Sequence, residues 1–348
     1  MPNRLETYRV TAYNTAKQSE NKMHDDNVAR RFGFSGGLVP GVDVFAYMMH
    51  VPIARWGRDF LSRGLVEARF IKPVYDGETA DVDATEHNGL LTIEVFSRTE
   101  LCATGTASLP AAVPALSLSD YVEVPAAAER KPVSPATFEL GKWLGTTPRR
   151  WAGQDAADYL TDVREADPIF AREGLGHPGL IQRVMNRVLV DNTILGPWIH
   201  VGSRMQLLSA ARAGDEITAR ARVTANCEKK GHRFVELDAS SSPTARRRSR
   251  IASTPRSTSR ASRRRRSGQL GKPTPVNQGR RHSPRRRGIQ YAAASRSIAA
   301  VSEYWIARSS RAMTVEFVAT IVPLTPPWPS PPGSRATPAR GSAACRCA

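Results

Sequence analysis

Val39-Pro40-Gly41-Val42 opens an apolar run over 42–49, and His177-Pro178-Gly179-Leu180 opens another over 180–189. Each run reads as a helix that is apolar nearly all round, and such a helix belongs inside a core. Each is followed by a tryptophan, Trp56 and Trp198. Each then reaches a strand-like stretch ending in a Gly-acid turn, 70–78 in the first case and 207–215 in the second. Gly41 to Gly77 spans 36 positions and Gly179 to Gly214 spans 35. The same features in the same order at the same spacing indicate a duplicated unit.

After each turn the sequence alternates between apolar and polar residues, as strands of a one-sided antiparallel sheet do. The first unit offers strands at 79–85, 90–97 and 101–109, and the second at 217–225 and 232–239. One buried helix followed by an antiparallel meander is the hotdog architecture. Two units in one chain predict an α+β double hotdog, with a first hotdog over 1–125 and a second over 126–240. The second unit breaks off one strand short of the first.

Where that strand is due, the composition changes. The 348 residues carry a formal net charge of +18, but residues 1–240 hold 28 Lys and Arg against 30 Asp and Glu. Residues 241–348 hold 22 against 2. This segment has Arg246-Arg247-Arg248, Arg263 to Arg266 and Arg285-Arg286-Arg287, with a Pro-rich end, and no helical or strand period survives between the clusters. It reads as a disordered, low-complexity Arg/Ser/Pro/Ala-rich tail. A more apolar stretch over 298–322 is the exception, with the composition of a locally ordered piece. A basic arm contacting phosphates is one reading. A reading-frame change near residue 240 in GC-rich DNA is the other, and is favoured because the change falls inside the second unit.

The remaining composition excludes several classes. The hydrophobic fraction of 41% suffices for a core. No apolar run approaches the ~18–20 residues of a membrane span. Met1-Pro2-Asn3-Arg4-Leu5-Glu6 lacks the apolar centre of a signal peptide. A cytoplasmic chain with free thiols is expected, with Cys102 and Cys227 on core strands. Cys345 and Cys347 lack His or acidic neighbours, so no metal site is implied. Arg149-Arg150 and Lys229-Lys230 read as solvated surface, with the phosphates of coenzyme A as the alternative.

The segment before the first helix carries the chemistry. It runs Asn21-Lys22-Met23-His24-Asp25-Asp26-Asn27-Val28-Ala29-Arg30-Arg31-Phe32-Gly33-Phe34-Ser35-Gly36-Gly37-Leu38-Val39-Pro40-Gly41-Val42. This resembles the signature of the MaoC-like hotdog dehydratases, which include (R)-specific enoyl-CoA hydratases. Asn21, Met23, His24, Ala29, Gly33, Phe34 and Gly41 fit the family's pattern. Lys22 stands where the family has Pro, and Ser19 where it has the catalytic Asp. The resemblance covers about 5–110 well and 134–240 more loosely.

It implies hydration of a 2-enoyl thioester, or dehydration of a 3-hydroxyacyl thioester, with coenzyme A as part of the substrate and no separate cofactor. His24 and Asn21 would serve the acid–base work. The backbone N–H groups at Gly41 and Val42 would hold the thioester oxygen. Asp25 and Asp26 either replace the missing Asp or begin a helical turn. Ser19 and His177 would line the substrate site, though a turn residue is an equal reading for His177. In the second unit Glu165, Asp167 and Phe170 fall on the Asp, Asn and His positions, so that unit reads as degenerate. Because Ser19 cannot act as a base unaided, enzymatic activity stays open. A hotdog thioesterase using Asp25 or Asp26 and a non-catalytic acyl-thioester binding protein are the alternatives, and nucleic-acid binding through the tail is a remote one. Homodimerisation also stays open.

Overall fold

The computed structural model describes residues 1–112, 118–134, 136–229, 232–243 and 315–321. The first hotdog begins with β1 (Asn3–Arg4) and β2 (Tyr8–Thr11), a 3-10 turn at Lys22–His24 and a short helix α1 (Asp26–Arg31). The central helix α2 (Gly41–Arg63) follows, then the strands β3 (Leu65–Phe70), β4 (Thr79–His87), β5 (Leu90–Ser97) and β6 (Glu100–Ser108). α2 buries Phe45, Tyr47, Met48, Met49 and Ile53 almost completely. Its sides are covered by strands that alternate: Leu91, Ile93 and Val95 of β5 face the helix, and the residues between them face solvent. α2 is longer than the apolar run that announces it. It contains Pro52, which cannot donate to the preceding turn, and it kinks at Gly57, where φ is 56°.

The first-unit strand expected over 70–78 lies earlier, at Leu65–Phe70. Pro73 has no N–H to give a ladder, which ends the strand before the Gly77 turn. The same displacement recurs in the second unit, where the strand precedes 207–215.

That unit comprises β7 (Lys131–Pro132), β8 (Trp143–Gly145), β9 (Arg149–Arg150), α3 (Gly153–Asp162), α4 (Ile169–Glu173) and the central helix α5 (Pro178–Val190). It continues with β10 (Thr193–Ile194), β11 (Trp198–Gln206), β12 (Glu216–Lys229) and β13 (His232–Pro243). Isolated bridges Leu38↔Tyr75 and Leu175↔Arg212 mark equivalent points of the repeat. Each lies three residues before its helix, which matches Gly41 with Pro178 and shifts the sequence alignment by one place.

The second unit is not left one strand short. β14 (Val315–Ile321) runs between β11 and β13, antiparallel to both, as β6 runs between β3 and β5. The reason is the sheet itself. Without β14, β11 and β13 would each present a row of unpaired backbone groups. The strand falls inside the apolar stretch 298–322. The Arg clusters lie outside the described residues.

The two hotdogs share one continuous sheet, with the order β1-β4-β5-β6-β3-β11-β14-β13-β12-β8. The join is β3 against β11, from Leu65↔Gln206 to Arg69↔Gly202. Behind it α2 lies beside α5. There the Arg183 guanidinium of α5 grips Asp43 of α2, with Nε at 3.0 Å and Nη2 at 2.8 Å from Oδ1. Thr15 donates to the other Asp43 oxygen at 2.6 Å. Asp43 is completely buried.

Cys102 is a buried free thiol. Cys227 departs from expectation: it is only half-buried. Among the described residues no helix is long and apolar enough to cross a membrane.

Candidate active site

Asn21 organises the turn that carries His24. Its Oδ1 accepts from Met23 N at 3.3 Å, capping the 3-10 turn, and from Trp198 N at 3.2 Å. Its Nδ2 donates to Trp198 O at 2.9 Å and lies 3.2 Å from His24 Nε2. One amide orientation satisfies all four contacts, so it fixes the roles on both sides. The motif of the first hotdog is thereby pinned to the first residue of β11 in the second.

The His24 tautomer follows. Nδ1 lies 2.7 Å from Leu38 O, a carbonyl that can only accept, so Nδ1 carries the proton. Nε2 keeps its lone pair and receives Asn21 Nδ2. Burial pushes the His24 pKa below its ordinary value, against the opposing pull of the Leu38 carbonyl and the Asp43 charge. The imidazole is therefore neutral at neutral pH, with Nε2 as its basic atom.

The loop after α1 closes over this turn. Met23, Ala29 and Leu38 are buried together, against Phe32, Phe34, Tyr75 and Ile199. Gly37 packs on the His24 carbonyl so closely that a Cβ there would collide with it. Gly37→Ala is expected to cost roughly 1–3 kcal/mol through overpacking against backbone, and to displace His24. Thermal unfolding, with the His24 ring resonances followed by NMR, reads both effects. An unchanged melting temperature and unchanged His24 resonances would refute the close approach.

Ser19, Asp25 and Asp26 make their bonds to backbone around His24. Ser19 is half-buried and its hydroxyl donates to Asn21 O at 3.3 Å. Asp25 caps α1, its Oδ1 accepting from Val28 N at 3.0 Å. Asp26 accepts from Gly37 N at 2.7 Å and lies 3.7 Å from the Arg30 guanidinium. Both carboxylates are thus engaged in shaping the segment around His24.

Gly41 and Val42 are the first two residues of α2, whose N-cap, Pro40, offers no side-chain cap. His200 of β11 flanks this helix start. A Cβ on Gly41 would lie 3.3 Å from His200 Cβ and 3.4 Å from His200 Nδ1, so glycine gives the clearance there. His200 Nε2 lies 2.7 Å from Ser203 Oγ and 3.0 Å from Gly202 O. Gln182 of α5 donates to the same Ser203 hydroxyl at 2.9 Å. Burial holds His200 neutral, with a pKa lowered to about 3. Nothing in the motif points to His200; inward alternation along β11 was the one signal for it.

His177 is not a surface turn residue. It is 1% exposed and N-caps α5, its Nδ1 accepting from Gly179 N at 3.0 Å. Its Nε2 faces Glu165 Oε2 at 3.6 Å, and the Phe170 ring lies 5.0 Å from its own. Glu165 Oε1 accepts from His50 Nδ1 of α2 at 2.8 Å and from Asp167 N at 2.8 Å. Burial pushes the Glu165 pKa up, but the contacts of His177 and His50 outweigh it and hold the carboxyl well below the usual carboxylate range.

The fold is a double hotdog, two units in one chain that each lay an antiparallel sheet against a central helix. The structure is similar to a putative MaoC domain protein dehydratase from Chloroflexus aurantiacus, at 12% identity over 68% of this chain and 86% of that one, with a TM-score of 0.49. A conserved hypothetical protein of Mycobacterium tuberculosis with a double hotdog fold is similar at 15% identity, over 72% and 92% of the two chains, with a TM-score of 0.48. The (R)-hydratase of A. caviae involved in PHA biosynthesis matches 30% of this chain and 86% of its own, at 20% identity and a TM-score of 0.25. These likenesses concern the fold alone. The sequence matches no protein-family model and no curated protein.

Proposed function

We propose that this chain is a hydratase or dehydratase acting on a 2-enoyl or 3-hydroxyacyl thioester of coenzyme A, with His24 as its acid–base group. The observation that carries the reading is the fixed His24 tautomer. Nδ1–H is committed to Leu38, and Nε2 is left basic in a turn that the loop ties to the start of α2.

In the hydration direction the water displaces Asn21 Nδ2 from the His24 Nε2 lone pair, and Nε2 takes a proton from the water as the water oxygen bonds to C3. The C2–C3 π pair moves onto C2 and the thioester oxygen, where the Gly41 and Val42 N–H groups hold the developing charge. The imidazolium then returns its proton to C2, giving the 3-hydroxyacyl thioester and neutral His24. A cytoplasmic setting suits such a substrate.

His24→Ala is expected to slow loss of the conjugated-thioester absorbance of trans-2-hexenoyl-CoA by ~10²–10⁴-fold. Turnover unaffected by the substitution, or absent in the unaltered protein, overturns the reading. Ser19 in the Asp position favours one second reading, a non-catalytic acyl-thioester binding protein. Binding of the same thioester without turnover would select it. Release of free thiol would select a thioesterase.

A further inference from the structure

The central helix of the second hotdog carries polar side chains that its packing does not use. Gln182 of α5 is completely buried, and its Oε1 has no hydrogen-bond partner. Asn186 stands one turn further along α5, and its Oδ1 is likewise buried without a partner. Buried polar atoms are rarely left so, and two acceptors one turn apart on one helix ask for a donor brought by a ligand.

These residues adjoin the start of α2. Ala46 of α2 packs against Gly179 of α5, and Asp43 meets Arg183, so the two helices run antiparallel here. The next turn of α5, which carries Asn186, therefore lies beside Gly41. Gln182 Nε2 donates to Ser203 Oγ at 2.9 Å, and that hydroxyl lies 2.7 Å from Nε2 of His200, the residue that flanks Gly41. His24, Gly41 and Asn186 each keep part of their surface exposed, whereas Gln182, His200 and Ser203 are buried. The polar group thus begins at an open helix start and leads inward.

Its neighbours assign the protons. Gly202 O, 3.0 Å from His200 Nε2, can only accept, so Nε2 carries the proton and shares it between Gly202 O and Ser203 Oγ. Ser203 Oγ then accepts from both His200 and Gln182, and its own proton remains to be given. Beside it, Gln182 Oε1 remains to accept. One donor next to one acceptor matches a hydroxyl, which does both. We propose that Gln182, Ser203 and Asn186 form a subsite for an acyl chain bearing a hydroxyl beyond C3, so that the substrate is a hydroxylated acyl thioester. The proposal rests on the hydratase reading above, which places the thioester at Gly41 and leaves C3 to His24. The chain passes His200. Its hydroxyl accepts from Ser203 Oγ–H and donates to Gln182 Oε1, with Asn186 Oδ1 as a second acceptor nearer the opening.

Saturated thioesters test the subsite, because they bind without turnover. Isothermal titration of the full chain is expected to show 5-hydroxyhexanoyl-CoA binding on the order of tenfold more tightly than hexanoyl-CoA. Gln182→Leu is expected to bring the two affinities within about twofold of each other. Ser203→Ala serves the same purpose should the Gln182→Leu chain fail to fold. Equal binding of the two thioesters by the unaltered chain, as a buried water alone at Gln182 would give, overturns the subsite. So does a preference that survives in folded Gln182→Leu or Ser203→Ala. Hydration of trans-2-hexenoyl-CoA alongside equal binding leaves the hydratase reading standing. A preference without hydration of 5-hydroxy-trans-2-hexenoyl-CoA overturns that reading and leaves the subsite. Binding of neither thioester overturns both.

Discussion

Ending the chain after Pro243 is expected to unfold the second hotdog. β14 bonds to β11 from Trp198 to Arg204 and to β13 from Arg233 to Ala239. Ladder hydrogen bonds contribute roughly 0.5–1.5 kcal/mol each, so losing both ladders costs on the order of 10 kcal/mol. That equals the ~5–15 kcal/mol total stability of an ordinary domain. The strands left behind would be long and unpaired along one side, which favours edge-to-edge association. Far-UV circular dichroism with thermal unfolding, and size exclusion, compare the truncated and full chains. Equal melting temperatures and equal elution would show that β14 does not complete the sheet.

The second large effect is expected at the contact between the central helices. Asp43→Ala leaves the Arg183 guanidinium without the carboxylate it grips. Stranding one member of a buried pair costs about 3–5 kcal/mol. Asp43 is fully buried, but Arg183 keeps 27% of its side chain exposed, which places the loss toward the lower end. Its guanidinium also lies over the Tyr159 ring, 4.4 Å from the centroid, a contact that survives the substitution. Adding Arg183→Met should recover much of the loss, because an apolar replacement of both partners removes the stranded charge. Urea midpoints of the two variants decide this. A loss below about 1 kcal/mol for Asp43→Ala alone would mean that water enters between α2 and α5.

What the sequence revealed depended on the range of the interactions involved. β5 was legible to the residue because Leu91, Ile93 and Val95 alternate against one neighbouring helix. The repeat was legible because the Pro-Gly helix starts and Gly-acid turns are local signals. β14 was legible only as part of the more apolar stretch 298–322, because its partners precede it by a long Arg-rich segment and pairing across that distance leaves no local signal. At the site, the motif located His24 and Asn21 but not their partner Trp198, which is 177 residues from Asn21. The sequence offers Asp25 and Asp26 as candidates for the missing Asp and, in preference, as the start of a helical turn, and the bonds to Val28 and Gly37 give each a structural partner that the sequence does not name. Glu165 and Phe170 read as remnants of a lost motif. The imidazole beside Glu165 comes from His177 and His50, at positions the motif does not include.

The β3–β11 join also decides what dilution does to the molecule. Two separate hotdog chains meeting at such an edge would form a complex whose population falls as protein concentration falls. Here both edges belong to one polypeptide, so forming the join is a unimolecular event governed by an effective concentration set by the chain. The pairing of β3 with β11, and with it the Asn21–Trp198 clamp beneath His24, should persist at nanomolar protein. The midpoint of thermal unfolding should not move with concentration.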